Sequence, residues 1–294
     1  MNLISSSRNK HHRTAAFGGG GNLPDYGEAL LGLSYDGKLK VVGGGNLFGI
    51  IVNANNVLQD DGGDKVWVGT INTKIEQWNL SAAGDITTAT LFDAFTLVGV
   101  NTDYHLQPDG TAIYPLRSNG DELKKFSLAT PFDLTTAGSV TIGDDLAVEI
   151  AGISTNDSVG ISFKGDGLRI FVNTVSNVVH QASLTVAWDV NTVVDDLVSY
   201  ANGHSDLGRG IDITPDGKYL LTSALDDTCR VHELVTPWDL STASFKAAYD
   251  LNSITTNALT VLSGVAIDVY RKKLYAADRA GGLTIFEFDW TGVS

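Results

Sequence analysis

The phrase ELVTPWDLSTASF at residues 233–245 recurs, and that recurrence limits what the chain can become. SLATPFDLTTAGSV (127–140) and SLTVAWDVNTVV (183–194) repeat it, and AAGDITTATLF (82–92) is a worn copy. The shared aspartate falls at Asp85, Asp133, Asp189 and Asp239, in steps of 48, 56 and 50 residues. Self-similarity at such a period marks one supersecondary unit that buries its faces only by stacking on its neighbours. A fifth copy is split by the chain ends. FDWTGVS closes the sequence with Trp290 in the Trp238 place and Thr291 where aspartate is expected, and RTAAF stands near the start. Phase and spacing predict a ring cut inside one repeat, with Thr14–Phe17 supplying the missing outer strand.

Between these phrases, apolar alternation over about four to eight residues is punctuated by Asp-Gly turns, and no stretch sustains a helical period. GIDITPDGKYLLTS (210–223) is the clearest strand–turn–strand unit. Equivalent hairpins are expected at 31–43, 56–69, 104–116 and 160–173, and a sixth at 264–278 carries a longer basic turn. Asp-Gly suits these turns because both residues tolerate positive φ. A third strand follows at 74–80, 122–128, 178–184, 229–234 and 283–288, then the phrase, then an outer strand such as SFKAAYDL (244–251). Four antiparallel strands repeated about every 50 residues is the pattern of a β-propeller blade. The chain is therefore all-β and a single propeller, its ring closed by an N-terminal strand on the C-terminal blade. Six hairpins predict six four-stranded blades with a degenerate first one; five blades preceded by an N-terminal insertion is the alternative. Residues 1–24 are expected to hold a tail, the closing strand and a glycine linker, and 25–294 the propeller.

Composition narrows the partners. The chain has 294 residues, with 34 Asp+Glu against 20 Lys+Arg, a formal net charge of −14. Such a surface repels phosphate backbones, which disfavours nucleic acid and anionic membrane. The basic run Arg8–Arg13 reads as a solvated tail. No apolar run reaches the length of a membrane span, and MNLISSSRNKHHR lacks the apolar stretch of a signal peptide. The expectation is a soluble protein outside the general export route.

The repeat residues themselves read as architecture. The aspartate of the phrase can accept backbone N–H groups two or three residues ahead and fix the corner between third and fourth strands. Pro131 and Pro237 set the corner's φ, and Phe132, Trp188 and Trp238 would cap the gap between blades. Cys229, the sole cysteine, excludes an internal disulfide and reads as a buried thiol. His105, His180 and His232 lie in strand patterns, and no histidine pair has zinc spacing.

GRGIDITPDGKYLLTS resembles the repeat of YVTN-type and lactonase-like bacterial propellers and, more loosely, the WD-repeat family. The TPWDLSTA phrase is similar to one in propeller proteins of tailed bacteriophages and marine bacteria. The lactonase resemblance implies a calcium held by carboxylate and amide oxygens at one end of the central tunnel. The loops before the innermost strands offer such oxygens, and Asn101, Asp103, Asn156, Asp157 and Asp206 form the candidate metal set. Catalytic residues and other cofactors are not indicated.

Two functions compete. One is a non-enzymatic structural or binding propeller, a virion component of a tailed bacteriophage with a place in the tail or on the head surface. It would contact other virion proteins, a host surface glycan or protein, or further copies of itself. The alternative is a calcium-dependent lactonase-like hydrolase in the cytoplasm or periplasm. A scaffold binding peptides or glycans on one ring face is a third reading.

Overall fold

The computed structural model describes residues 33–35, 37–41, 47–52, 65–70, 74–96, 101–117, 120–256, 258–268, 271–279 and 284–290. The chain enters through β1 (Leu33–Ser34) and β2 (Leu39–Val41) and then builds its first blade from β3 (Leu47–Val52), β4 (Lys65–Thr70), β5 (Lys74–Leu80) and β6 (Ala89–Thr96). The second blade is β7 (Asn101–Leu106), β8 (Ala112–Arg117), β9 (Glu122–Leu128) and β10 (Ala137–Asp145), followed by the single turn α1 (Leu146–Glu149). The third is β11 (Ser158–Phe163), β12 (Arg169–Thr174), β13 (Val178–Leu184) and β14 (Val193–Ala201). The fourth is β15 (Gly208–Ile213), β16 (Tyr219–Ala224), β17 (Thr228–Leu234) and β18 (Ala243–Asp250), and α2 (Leu251–Ile254) leads onward. The fifth, β19 (Leu262–Asp268), β20 (Lys273–Asp278) and β21 (Thr284–Trp290), is completed by β1 and β2.

Every sheet is antiparallel, the first four are meanders, and the innermost strands β3, β7, β11, β15 and β19 adjoin one another in a closed circle. The chain is a single all-β propeller. Its blades number five among the described residues, the alternative that the sequence allowed, and the six-blade reading is corrected.

The correction has a local cause. Leu33 and Ser34 pair with Trp290 and Asp289, and Leu39 to Val41 pair with Phe286 to Thr284, so the register slips by two residues between Ser34 and Leu39, a bulge against β21. Gly37, at φ +91, lies within that bulge, and Lys38 returns its carbonyl to the Glu287 N–H at 3.1 Å. The segment read as a first-blade hairpin thus continues in one direction as the outer strand of the last blade. Asp-Gly serves bulges as readily as hairpins. The innermost strand of the first blade is β3, upstream of the 56–69 hairpin expected from sequence. N-terminal closure holds, but the edge of β21 assigned to Thr14–Phe17 is taken by β1 and β2. Thr14–Phe17 and the expected boundary at residue 24 lie outside the described residues.

The core is five separate layers, one in each gap between blades. Tyr219, Leu221 and Val231 meet Val265, Ile267 and Phe288 in one gap, and Trp67, Ile75, Tyr104 and Phe126 fill another. Glycine lets the innermost strands crowd the axis. A Cβ on Gly160 would stand 2.6 Å from the Arg209 carbonyl oxygen, and one on Gly210 2.9 Å from the Gly264 Cα.

Candidate functional site

The recurring phrase folds into a 3-10 corner at Ile86–Thr88, Leu134–Thr136 and Leu240–Thr242, and into a turn closed by the Thr192 N–H on the Asp189 carbonyl in the third blade. Asp85, Asp133, Asp189 and Asp239 each accept the N–H two residues on, at 3.0, 2.9, 3.1 and 3.0 Å. The hydroxyls of Thr87, Thr135 and Ser241 donate to the same oxygens at 2.6 to 2.7 Å. The Thr87 hydrogen bond, with help from its backbone N–H, holds the Asp85 carboxyl below the usual aspartate range despite slight burial. The next threonine (Thr88, Thr136, Thr192, Thr242) donates to the aspartate carbonyl at 2.7 to 2.8 Å. The expected corner role is therefore met by geometry.

The aromatic before each aspartate seats itself on the hairpin turn of its own blade. Phe132, Trp188 and Trp238 have positive φ and donate their N–H to the carbonyls of Gly110, Gly167 and Gly217 at 2.9, 3.0 and 2.9 Å. Their rings occupy the space a Cβ on those glycines would need, 2.2 to 2.4 Å away. In these turns only the glycine takes positive φ; the aspartate instead accepts the N–H two residues ahead, as Asp216 does from Lys218 at 3.1 Å. The same aromatics close the gaps between blades: Phe132 against Trp67, Trp188 against Tyr114 and Trp238 against Phe171. The first blade's corner has Gly84 in this place, and Tyr275 and Arg271 of the fifth blade cover it, the tyrosine hydroxyl donating to the Gly84 carbonyl at 2.9 Å.

A second recurrent device was not read from the sequence. The middle residue of the third strand reaches into the next blade and accepts the first N–H of its corner. Gln77 takes Leu134 at 3.1 Å, Gln181 takes Leu240 at 2.9 Å, and Glu287 takes Ile86 at 2.8 Å. Aligning KIEQWNL, VVHQASL and TIFEFDW by their strand position is the signal that exposes it.

The loops entering the innermost strands are likewise held from the preceding blade. Asp121 accepts the Ser158 N–H at 2.8 Å and also that of Asn156. Asn177 donates to the Asp206 carbonyl at 2.6 Å, and Asp227 accepts the Leu262 N–H at 2.9 Å. Asp121, Asn177 and Asp227 all adopt positive φ, a conformation these short polar residues tolerate.

This places the candidate metal set. Asn156 and Asp206 are exposed and belong to these captured loops; the Asn156 amide oxygen accepts the Gly120 N–H at 2.9 Å. Asp157 is buried and accepts from the Ser176 hydroxyl at 3.2 Å. Asn101 is wholly buried at the head of β7, opposite Arg117. Asp103 stands at the bulge position that Gly49, Gly160 and Gly264 hold on other innermost strands, and its Oδ2 accepts the Ile161 N–H at 2.9 Å. Asp212, on β15, does the same for Ile267 at 2.9 Å. Burial pushes the carboxyl of Asp103 well up, with Asp212 adding to it, and burial raises Asp212 to about 6. The structure joins Asp157 and Asp206 to different neighbours and leaves Asp103 on the wall of the next strand. Among the described residues, no group of three or more His, Cys, Asp or Glu is arranged to hold a metal ion.

One buried chain has the parts of a proton relay. His204 Nδ1 lies 3.2 Å from Asp226 Oδ1, and its Nε2 lies 3.0 Å from the Thr222 hydroxyl. Thr222 lies 3.3 Å from His232 Nε2, whose Nδ1 lies 3.1 Å from the Tyr200 hydroxyl. One tautomer set satisfies every link: Nδ1–H of His204 donates to Asp226, Thr222 donates to His204, Nε2–H of His232 donates to Thr222, and Tyr200 donates to His232. Thr222 and His232 are wholly buried, so no substrate reaches the hydroxyl. Burial lowers His204 and takes His232 to about 3, so both rings stay neutral. Burial opposes ionisation of Asp226, yet hydrogen bonds from Thr228 and Ser205 bring it to about 2. The chain braces the third blade's outer strand against the fourth blade. His105 is neutral as well, lowered by burial to about 3 between Phe163 and Trp188, and burial raises the Cys229 thiol to about 12.

No family model matches the chain, and no curated protein is significantly similar to it. Among solved structures it is similar to the Myceliophteria thermophila Cps50 (Swd1) β-propeller domain, at 10% identity over 84% of each chain, with a TM-score of 0.48.

Proposed function

We propose that this chain is a non-enzymatic β-propeller that binds other proteins within an assembly, and that the assembly is the particle of a tailed bacteriophage. The observation that carries the binding reading is the use to which reactive side chains are put. The recurrent aspartates hold corners, Asp121 and Asp227 hold loops, and the Asp226–His204–Thr222 relay ends on a hydroxyl sealed from solvent. Groups so engaged stiffen a platform and are closed to substrate. The bacteriophage assignment rests on the resemblance of the TPWDLSTA phrase. Peptide mass spectrometry of purified particles tests it. Stoichiometric presence is expected, and absence from particles that contain their other structural proteins overturns the assignment. Hydrolysis of a lactone by the metal-loaded protein, lost in Asp103→Ala, would overturn the non-enzymatic reading.

A further inference from the structure

Leu197 is the outlier of the described surface. It sits in a bulge of β14 at φ +56, a region that favours glycine, with 83% of its side chain surface exposed. The bulge is built. Asp195 Oδ1 accepts the Leu197 N–H at 2.8 Å, and Asp196 accepts from Gln181 and Ser183, both at 2.7 Å. The other oxygen of Asp195 accepts the Ala151 N–H at 3.0 Å, which fixes the segment just after α1. On that turn Val148 is 75% exposed. Asp195 therefore ties the Leu197 bulge to the segment after α1, and the packing of that turn beside β14 puts Val148 and Leu197 on neighbouring stretches of the rim, where the second and third blades meet.

The ground around them is acidic. Residues 137–157 and 184–208 contain no Lys or Arg, whereas Asp144, Asp145, Glu149, Asp195 and Asp196 lie in them. Arg169, from β12, approaches Asp196 at 3.7 Å. A conformation that costs backbone strain and displays an apolar side chain is retained where the display itself is used. An apolar anchor in a field of one charge selects a partner of the opposite charge. We infer that the rim formed by Val148 and Leu197 is a docking surface for a basic protein segment, whose apolar side chains cover this pair while its lysines or arginines face the surrounding carboxylates. This deepens the binding reading above and rests on it.

The test uses the full chain and a fluorescently labelled amphipathic peptide of leucine and lysine, with a leucine–glutamate peptide as its counterpart, read by anisotropy. Saturable binding of the basic peptide alone is expected. Leu197→Gly and Val148→Ser should each weaken it by about tenfold, the scale on which an anchor residue counts. Leu197→Gly should keep the wild-type melting temperature, since glycine accepts that φ freely. Phe245→Ala, at an exposed apolar residue on the outer strand of the fourth blade, should bind as wild type does. Equal binding by wild type and Leu197→Gly, or equal loss in Phe245→Ala, overturns the assignment. A concentration-dependent dimer that Leu197→Gly abolishes would overturn it in favour of self-association. Detection in particles is read separately, so loss of the bacteriophage assignment leaves this result standing, and the reverse.

Discussion

Glu287 Oε2 accepts the Ile86 N–H at 2.8 Å, which ties the last strand of the chain to the first blade's corner 201 residues earlier. The two other third-strand clamps that reach a corner use neutral glutamines, whereas this one is ionic. Lys38 approaches the other Glu287 oxygen at 3.4 Å from the closing segment, and Lys273 at 2.7 Å from the neighbouring strand. Glu287 itself is 1% exposed, so a buried ionic clamp stands at the one blade made from two distant parts of the chain.

Removing it should show that difference. Glu287→Ala removes the acceptor of the Ile86 N–H and one carboxylate beside Lys38 and Lys273, the latter keeping Asp289, and should cost about 3 kcal/mol, as losing one partner of a buried pair does. Glu287→Gln keeps the acceptor for Ile86 and should cost about 1 kcal/mol, the scale of one hydrogen bond's net worth. Gln77→Ala, at a neutral clamp, should fall between them. Urea unfolding of the three variants checks the order; equal costs for Ala and Gln at 287 would deny the ionic role.

Corner and turn variants should separate in magnitude. Asp239→Ala removes an exposed cap and should cost about 1 kcal/mol. Trp238→Ala empties the space over Gly217 and against Phe171, and should cost about 3 kcal/mol or more. Gly217→Ala drives a methyl into the Trp238 ring at a positive φ and should also exceed Asp239→Ala. Thermal melts check this, and wild-type stability in Gly217→Ala would remove the ring from its seat.

Stability should carry two opposing pH dependences. An unfolded aspartate releases its proton near pH 3.8 and folded Asp212 near 6, so the folded state holds the extra proton between them and Asp212 lowers stability as pH rises through that window. Asp212→Asn lacks this dependence. Its stability relative to wild type should improve by up to about 3 kcal/mol between pH 4 and 7, given 1.36 kcal/mol per unit. His105 and His232 act in the other sense. Unfolded, they take protons below about pH 6.5, and folded only near 3, so acidification through that range costs stability. Parallel stability curves for wild type and Asp212→Asn would refute the aspartate's part.

Chelation and thiol chemistry give a simpler check. Incubation with EDTA should leave the melting temperature unchanged, and a loss restored by calcium would make Asn101, Asp103, Asn156, Asp157 and Asp206 a metal site after all. Cys229 is wholly buried with its thiol pushed up to about 12, so Ellman's reagent should react only on unfolding.

What could be read from sequence was whatever repeats within one blade. The Asp239 corner needs only its own next residues, and the Asp216-Gly217 turn only its flanking strands, so local chemistry announced both. The clamps from Gln77 to Leu134 and from Asp121 to Ser158 span two blades, and no spacing within a repeat reveals them. The choice between six blades and five stayed open for a related reason. The Gly37 bulge and a hairpin turn share their residues, and only the pairing of Leu39 with Phe286 distinguishes them. The polar loop residues chosen as ligands were visible for their composition, but the backbone groups of a neighbouring blade that Asn156 and Asp103 accept from, Gly120 and Ile161, are not encoded in composition.

Pairing of β1 and β2 with β21 also orders events in time. Four sheets can form as soon as their own stretch of chain exists, because each is a contiguous meander with only near neighbours to find. The fifth waits for the C-terminal strand and must close a loop of nearly the whole polypeptide, an entropic toll that grows slowly with length but delays long-range contacts. Shortening the protein by β21 should therefore leave an unlatched crescent with two bare sticky borders, not a smaller ring.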